Sequence, residues 1–372
     1  MEKYPEYNPQ DNKVHVLFLS PCLNESGYYR MILPTFELNK TKTHSAIIGQ
    51  IQKWDFNKQF DEYDTPIDLR LVKWADYVVL PVVFSDISYI IKTIREINSD
   101  IEFVMDLEKN YHQLPKYHPD KHKVSSGIVQ IMENNLSLID ILSGPNDSLL
   151  KYYHDILHKE EKAYRLYFEC YPNLISSLTF ADIERIKQNK GEKIRLGLLT
   201  DSSRVEDLRT IEAELISLLR RNSGKIELVV FGLTAELAER EDIFKGAPII
   251  YEKPVLFTQF HKKLNDLTID IGLLPFFDNP FNSTGNALNR FLDFSAFMIP
   301  SVVPNISPFN KVIENGENGI IAETGRDWFN CIQELIDDAQ ARKEIGRNAF
   351  KTVWQNFSYN TKTIKRLENI FL

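Results

Sequence analysis

The sequence predicts an α/β fold made of two Rossmann-like domains that face a cleft, and three observations support this. The chain has 372 residues, which suits two domains better than one. Short apolar runs of strand length alternate with helical patterns in two separate series. A polar stretch from Glu169 to Lys193, which contains Pro172, separates the two series and is interpreted as the interdomain connection.

In the first series, apolar runs that end at turn signals predict buried parallel strands at 13–21, 75–84 and 101–107. Residues 85–98 carry apolar side chains at helical spacing, and Ser85 is the expected N-cap. A short strand, a turn at Gly144-Pro145 and a further helix follow. The first domain is therefore expected to be doubly wound.

The second series repeats this alternation. Its predicted strands are 194–201, 225–232, 247–254, 269–276 and 299–305, and 312–324 reads as a helix end, a tight turn and a strand. Its predicted helices are 205–222, a helix around Leu288–Phe297, one or two amphipathic helices over 327–358, and a last helix over 359–372. In such folds ligands bind beyond the carboxyl ends of the strands.

Composition narrows the function classes. The chain is 43% hydrophobic and 26% charged, which is a globular balance. A net charge of −8 argues against a general nucleic-acid binder and weakens attraction to anionic lipid, but it leaves peripheral membrane association through a local basic patch open. Residues 1–16 lack the apolar core of a signal peptide, and no run of apolar residues is long enough to span a membrane. We therefore expect a cytoplasmic protein.

The three cysteines, Cys22, Cys170 and Cys331, lie far apart in the sequence. They form no metal-binding spacing, and an odd number suits no closed disulfide framework. A reducing compartment is the simplest interpretation, and no metal site is predicted.

The loop after the first predicted strand is the first candidate site. Asn24, Ser26 and Gly27 offer a backbone that can approach a ligand closely, and beyond Tyr28 the side chain of Arg30 can pair with phosphate or carboxylate. The alternative is a strand-to-helix turn with an exposed arginine. The loop lacks the G-x-G-x-x-G pattern, so a dinucleotide site is not expected.

Two carboxylates form the second candidate site. Asp106 and Glu108 lie at the end of a predicted strand, with His112 nearby. Such carboxylates can orient hydroxyl groups or act as bases, and these two are the candidate catalytic residues. The alternative is that they cap the next segment.

The third candidate site follows the first strand of the second series. Ser202 and Ser203 can donate to an anion, Arg204 can neutralise it, and the next helix presents its positive end. The alternative is an ordinary N-cap with a surface arginine.

The fourth candidate site is a polar cluster, Asn282–Asn286, directly before an apolar helix. Thr284 and Gly285 would let backbone N–H groups face a diphosphate at the helix start. Arg290 and Asp293 lie three residues apart and so share a helix face, where they suit phosphate and ribose hydroxyls. The alternative is a surface ion pair worth about 0.3–0.5 kcal/mol.

At this point the pattern resembles a known family. The second domain resembles the C-terminal half of GT-B glycosyltransferases, especially family four (group 1), which carries a Glu, seven residues, Glu motif. The run LDFSAFMIPSVV matches that frame, with Asp293 in place of the second Glu and Pro300 seven residues later. One branch of the family is closely similar to the segment NPFNSTGNALNRFLDFSAFMIPSVV, and a further family segment resembles VIENGENGIIAE. The likeness is strongest from Asp270 to Glu323.

The resemblance implies a retaining, metal-independent glycosyltransferase of the hexosyltransferase type. It would move a sugar from a nucleotide-diphosphate sugar, with UDP- or GDP-sugar as co-substrate and no cofactor, to a hydroxyl of a glycan, lipid-linked or protein acceptor. It also implies an acceptor domain over 1–172, a donor domain over 173–355, and a crossover helix over 356–372 that packs on the N-terminal domain.

The same resemblance carries roles to particular residues. Asp293 would bind the donor ribose, Gly285 and Asn286 would face the diphosphate or the sugar, and Arg290 takes the place of the branch's Lys. Residues 24–30 would lie near the donor phosphates or the acceptor. Helix ends and basic side chains would hold the diphosphate.

The chain also departs from the branch. Its Lys-Ser is Asn286-Ala287 here, its second Glu is Asp293, and its Gly before Ile-Pro is Met298. These changes motivate a second hypothesis, a catalytically weak GT-B-like partner or regulatory subunit of a transferase complex. A third, a sugar-nucleotide epimerase, needs an acid/base set that the sequence does not offer. The acceptor and the oligomeric state do not follow from the sequence.

Overall fold

The computed structural model of the chain describes residues 4–19, 24–49, 68–158, 167–175, 191–285 and 288–372. Within these ranges the chain divides into two compact units. The first unit comprises Met1–His112, Lys123–Asn173 and Tyr359–Leu372, and the second comprises Gln113–His122 and Leu174–Ser358. Each unit is built around its own parallel sheet.

In the described residues the sheet of the first unit has six parallel strands in the order β2-β1-β3-β4-β5-β6. These strands are β1 (Val14–Leu19), β2 (His44–Gly49), β3 (Tyr77–Pro81), β4 (Glu102–Asp106), β5 (Ile141–Gly144) and β6 (Tyr167–Cys170). The strands predicted from apolar runs are confirmed as β1, β3 and β4, because both faces of a parallel sheet are covered and such strands are apolar throughout. From β1 the chain first adds β2 on one side of the sheet and then adds β3 on the other side. The strand order therefore reverses between β1 and β3, and their carboxyl ends form the switch point of this sheet.

Two predictions in this unit need correction. The stretch interpreted as an interdomain connection begins inside a strand, because Glu169 and Cys170 belong to the edge strand β6; residues 176–190 of it lie outside the described residues. Ser85 is not the N-cap of its helix, which begins at Ser88. The N-cap position is Ile87, which has no capping side chain, and the Asp86 carboxylate before it accepts the N–H of Ser88 at 2.8 Å.

The helices of this unit surround the sheet. Glu25–Gly27 (α1) continues through a π-helical turn, Tyr28–Ile32, into Leu33–Leu38 (α2). The others that precede β6 are α3 (Leu69–Trp74), α4 (Ser88–Ile97), α5 (Ser126–Leu136) and α6 (Asp147–His158).

The described part of the second unit has a six-stranded parallel sheet in the order β12-β11-β10-β7-β8-β9. Its strands are β7 (Ile194–Leu199), β8 (Ile226–Phe231), β9 (Ile249–Glu252), β10 (Ile271–Leu273), β11 (Ser301–Pro304) and β12 (Ile320–Ala322). All six were expected from the sequence. The order is that of a Rossmann sheet, and its switch point lies between β7 and β10.

The helices of the second unit are α7 (Val205–Arg209), α8 (Glu212–Arg221), α9 (Ala235–Arg240), α10 (Phe257–Leu267), α11 (Pro280–Gly285), α12 (Asn289–Ala296), α13 (Gly325–Asp337) and α14 (Ala339–Asn356). The helix predicted over 205–222 is broken, because the Thr210 hydroxyl donates to the Asp207 carbonyl oxygen at 2.5 Å where α7 ends. The region 327–358 forms two helices, since Asp338 caps the second by accepting the N–H groups of Gln340 and Ala341 at 2.9 Å.

The polar cluster before the apolar helix is folded differently from the expectation. Its residues up to Gly285 lie within the short helix α11 and do not form a loop at the start of α12. Asn279 explains this helix, because its side chain accepts the N–H of Asn282 at 2.9 Å and Pro280 occupies the first helical position. Asn286 and Ala287 lie outside the described residues.

The end of α12 turns through a left-handed residue. Met298 has φ 56°, a conformation that favours glycine. Gly346 on α14 packs directly against this turn, and a Cβ atom placed there would lie 2.0 Å from the Met298 carbonyl oxygen. The absence of a side chain at Gly346 therefore lets α14 support the end of α12.

The last segment belongs to the first unit. Its helix α15 (Thr361–Glu368) begins with a capping box formed by Asn360 and Thr363. Beyond it, Phe371 packs edge-on against Tyr77 with ring centroids 5.3 Å apart. Among the described residues, no helix has both the length and the apolar character that crossing a membrane requires.

Candidate functional site

The candidate site of the second unit lies at the carboxyl ends of β7 and β10. Asp201 and a 3-10 turn, Ser202–Arg204, follow β7. Phe276 and then α11 follow β10. These two segments meet at the switch point of the sheet, which is the position where open α/β sheets bind ligands.

Arg204 is held in place from several sides. Its Nη1 donates to Asn282 Oδ1 at 2.6 Å and to Asp207 Oδ2 at 3.1 Å, and its guanidinium lies 4.9 Å from the ring centroid of Phe276. Burial, followed by the nearby charge of Arg290, lowers the pKa of Arg204 from its usual value. The surface arginine considered as an alternative is wrong, since the side chain is 17% exposed.

Asp207 is the anchor beneath Arg204. Its carboxylate is buried and accepts the Phe277 N–H at 2.8 Å and the Asn282 side-chain amide at 2.9 Å, in addition to Arg204. One side chain on α7 therefore fixes both the arginine and the segment that follows β10.

A second guanidinium packs on the same ring. Arg290, on α12, lies 5.7 Å from the Phe276 centroid, and its Nη2 donates to Asp201 Oδ2 at 3.2 Å. Arg204 and Arg290, hereafter the arginine pair, thus place two positive charges at the switch point. The Arg290 side chain is 15% exposed, close to the value for Arg204.

Asp201 bridges the 3-10 turn and Arg290. Its Oδ1 accepts the N–H of Ser203 at 2.7 Å, while its Oδ2 accepts from Arg290. Burial opposes ionisation of this carboxyl, but Arg290 and the Ser203 hydrogen bonds outweigh it and hold the pKa of Asp201 below its usual range. Just over half of the Asp201 side chain, 53%, is exposed to solvent.

The structure brings together part of the predicted donor set. Ser202 is exposed beside the arginine pair, and Ser203 is bonded to Asp201. The Thr284 hydroxyl donates to the Pro280 carbonyl oxygen at 2.5 Å, and Gly285 ends α11. Asn286 falls outside the described residues, so its predicted role stays a prediction.

Asp293 has a different environment from Arg290. It is buried on α12, and its Oδ1 pairs with His261 Nε2 at 3.0 Å. The His261 ring packs edge-on against Phe257 and Phe260 of α10. A ribose hydroxyl bound to Asp293 would have to share this carboxylate with His261, and the predicted ribose contact stays a prediction.

The first unit has a cavity of about 190 Å³ at its own switch point, beyond the ends of β1, β3 and β4. The lining residues come from the predicted loop, from the end of β3 and from the predicted carboxylate segment: Asn24, Ser26, Gly27, Arg30, Met31, Pro81, Val82, Phe84, Asp106, Glu108 and Tyr111. The first and second candidate sites of the sequence therefore line one cavity.

Arg30 and Asp106 form a buried pair at the base of this cavity. Arg30 Nε lies 2.8 Å from Asp106 Oδ1, and Nη2 lies 2.6 Å from Oδ2. Arg30 also donates to the Tyr171 carbonyl and, at 3.2 Å, to Asn173 Oδ1, while the Ser143 hydroxyl donates to Asp106. The alternative of an exposed Arg30 is therefore wrong.

Electrostatics favour a structural role for this pair. Burial opposes the charge of Arg30, but Asp106 outweighs it and raises the arginine pKa. Because both oxygens of Asp106 already accept hydrogen bonds, the geometry does not favour Asp106 as a base, and its catalytic role stays a prediction.

Glu108 is the more accessible of the two predicted carboxylates. It is partly exposed and accepts the Tyr111 hydroxyl at 2.8 Å. Glu108 is thus the carboxylate that can reach a ligand here.

Three other predicted residues of this region have contacts of their own. His112 pairs with Glu133 at 2.8 Å. Asn24 accepts the Gly27 N–H at 2.9 Å and so caps α1, and Tyr28 packs edge-on against Tyr29.

Comparison with known proteins identifies the architecture. No protein-family model and no curated protein sequence matches the chain. Its structure is similar to that of sucrose-phosphate synthase from Thermosynechococcus elongatus, with a TM-score of 0.64 and 11% identity over 96% of this chain and 98% of that one. The chain has the GT-B fold.

Two further solved structures are similar over nearly their whole length. HepE of Anabaena, in complex with UDP and glucose, gives a TM-score of 0.59 at 12% identity over 95% of this chain and 97% of that one. A glycosyltransferase from Rickettsia africae gives 0.57 at 14% identity over 97% and 98%. At these identities the likeness establishes the fold, as the family motifs predicted.

Some residues of the candidate site in the second unit were missed by sequence reasoning. Asp201 and Asp207 resemble ordinary acidic residues at a helix start, so the pattern carries no sign of their arginine partners. Tyr117, whose hydroxyl accepts the Asn279 amide at 3.0 Å, and His118, whose ring meets Phe281 at 5.3 Å, come from a distant segment that packs in the second unit. No local spacing signals such an arrangement.

Proposed function

We propose that this protein is a retaining glycosyltransferase that moves a sugar from a nucleotide-diphosphate sugar, a UDP- or GDP-sugar, to a hydroxyl of a glycan, lipid-linked or protein acceptor. The arginine pair carries this proposal. Two guanidinium groups share the ring of Phe276 at the switch point of a Rossmann sheet, where a diphosphate would be bound.

The chemistry of the pair suits the leaving group. Arginine donates to phosphate with a fixed, planar geometry, and each charge-assisted hydrogen bond contributes about 1.5–3 kcal/mol. Because Arg204 is held in advance by Asp207 and Asn282, little reorganisation of its guanidinium is needed when negative charge develops on the leaving diphosphate. These side chains would supply the positive charge without a metal ion.

Solved structures support the choice of donor. HepE, which shares the GT-B fold, has been solved with UDP and with UDP-glucose. A nucleotide sugar is therefore the first co-substrate to test for this chain.

The cavity of the first unit would bind the acceptor. Asn24, Ser26 and Glu108 line it with groups that can hydrogen bond to hydroxyls, and Tyr111 and Phe84 give it an aromatic wall. The resemblance to retaining GT-B enzymes implies that the departing phosphate takes the acceptor proton. The engagement of Asp106 with Arg30 is compatible with such a mechanism, in which Glu108 would position the acceptor.

A second candidate is a catalytically weak partner or regulatory subunit of a transferase complex. The burial of Asp293 against His261 favours it, because the residue in the family's ribose-binding position already has a partner. This candidate predicts nucleotide binding that is weak or absent and no turnover by the isolated chain.

Thermal shift and calorimetry with UDP, GDP, ADP and their sugars test the proposal. We expect one nucleoside diphosphate to raise Tm, and the R204M variant to lose this effect. Incubation with the matching donor and candidate acceptors, with and without EDTA, should give product with retained anomeric configuration by NMR. If no nucleotide binds and a second transferase co-purifies with the chain, the regulatory role replaces the enzyme.

A further inference from the structure

We propose that Asp201 competes with the donor diphosphate for Arg290 and thereby limits the affinity of the site for its diphosphate. The inference rests on the proposed function, since it assigns a residue that tunes the same anion site. The observation behind it is a carboxylate on the arginine pair, where an incoming phosphate would otherwise find a free cation.

The two arginines are neutralised in different ways. The partner of Arg204 is Asp207, which is buried and is also tied to Phe277 and Asn282, so this pair cannot separate without disturbing the fold. The partner of Arg290 is Asp201, whose side chain is 53% exposed. Asp201 contacts Arg290 through Oδ2, so an anion can replace this oxygen while Oδ1 keeps its hydrogen bonds to Ser203, whereas Asp207 cannot release Arg204.

The contact of Arg290 with Asp201 is a long one. Arg290 Nη2 lies 3.2 Å from Asp201 Oδ2 and Arg204 Nη1 lies 3.1 Å from Asp207 Oδ2, so it is the exposure of Asp201, and not the length of its contact, that distinguishes the exchangeable pair. Charge-assisted hydrogen bonds are strongest at about 2.7–2.9 Å, and exposed ion pairs contribute little. A diphosphate carries more negative charge than one carboxylate and would displace it.

Asp201 also stabilises the arginine pair before an anion binds. The charge of Arg290 is one of the causes that lower the pKa of Arg204, so the two cations repel each other. Asp201 offsets this repulsion when no anion is bound. After transfer, the same carboxylate would recapture Arg290 and favour release of the nucleoside diphosphate, a step that limits many enzymes.

Substitution of Asp201 tests the inference with inorganic pyrophosphate as the probe. D201N removes the charge, and asparagine can still cap the N–H of Ser203. We expect D201N and D201S to bind pyrophosphate about fivefold more tightly by calorimetry, the range that an exposed ion pair allows. The matched control is E206Q, the same change of net charge on α7 beside Arg209, for which we expect less than a twofold change in affinity.

A double-mutant cycle separates competition for Arg290 from a general charge effect. R290M keeps an apolar side chain over Phe276. In that background D201N should increase the affinity for pyrophosphate no more than E206Q does. A gain that persists without Arg290, equal affinities of D201N and E206Q, or no pyrophosphate binding by wild type and D201N would overturn the inference.

Nucleotide sugars measured in parallel keep the two proposals apart. Tighter pyrophosphate binding by D201N with no binding of any nucleotide sugar would support the role of Asp201 and remove the proposed donor. Nucleotide-sugar binding with an unchanged pyrophosphate affinity in D201N would keep the proposed function and overturn the role of Asp201.

Discussion

The carboxylate of Asp207 lies 3.1 Å from Nη1 of Arg204 and is buried beneath it. The same carboxylate holds the backbone of Phe277 and the side chain of Asn282. The position of Arg204 is thus linked to the fold of the segment after β10, and the two cannot be changed independently.

The first prediction concerns this link. In D207N the Arg204 charge stays largely buried without its partner, so we expect the free energy of unfolding to fall by about 1.5–3 kcal/mol, the value of a hydrogen bond to a charged group. Urea denaturation monitored by circular dichroism measures it. The control is E206Q on the same helix, where the loss should stay within about 0.5 kcal/mol. Equal losses would show that Asp207 does not anchor Arg204.

The second prediction concerns Met298, which stands where the resembling branch has glycine. Its φ of 56° is strained for a residue with a Cβ atom, and 38% of the residue is exposed, so little packing is lost on truncation. We expect M298G to raise the free energy of unfolding by about 0.5–1 kcal/mol, since glycine adopts this conformation freely.

The control for this change is M298A, which removes the same side chain but keeps the Cβ atom. Calorimetric Tm values should rank M298G above M298A. The reverse order would mean that the turn against Gly346 holds Met298 without strain.

Much of this architecture could be predicted from the sequence, and the reasons are local. β1 and β7 are continuous apolar runs bounded by turn residues, so their pattern identifies them. β2 was missed because it begins with His44 and Ser45, two polar residues that the fold buries. Ser85 was misassigned as a cap because the helix begins three residues later, at Ser88, whose N–H is accepted by Asp86.

The candidate site was only partly predictable for the same reason. Arg204 and Arg290 stood out because each follows a strand or begins a helix at the carboxyl edge of the sheet. Their carboxylate partners are fixed by three-dimensional packing, and the contact of Tyr117 with Asn279 joins residues far apart in the sequence. Sequence spacing carries no information on such contacts until the topology is known.

The third prediction concerns Cys170. Burial, and then its hydrogen bond to Asp147, raises the pKa of this thiol to about 11. At pH 8 about one thousandth of it is thiolate, so iodoacetamide should label it far more slowly in the native protein than in urea. Quantitative mass spectrometry of its peptide measures both rates, and equal rates would contradict the raised pKa.

The raised pKa of Cys170 also makes the free energy of unfolding depend on pH. An unfolded thiol ionises near its ordinary pKa, whereas folded Cys170 keeps its proton to about pH 11. The stabilising contribution of Cys170 is therefore complete below the unfolded pKa and is lost as the pH rises towards 11. In C170A the alkaline loss of stability should be smaller over that window.

The last prediction separates the two carboxylates of the first unit. In D106N the buried Arg30 loses both of its short hydrogen bonds to a charge, so the free energy of unfolding should fall by about 3–5 kcal/mol, as for other broken buried pairs. In E108Q the partly exposed side chain keeps its size and an oxygen that can accept the Tyr111 hydroxyl, so stability should change by less than about 0.5 kcal/mol.

Turnover completes the comparison. Once donor and acceptor are known, E108Q should raise the KM for the acceptor while leaving the donor affinity unchanged, because Glu108 lines the cavity of the first unit. R30M together with D106N removes both charges at once and should be more stable than D106N alone, because no unpaired charge stays buried. If D106N is as stable as the wild type but inactive, Asp106 is a catalytic residue and the pair is not structural.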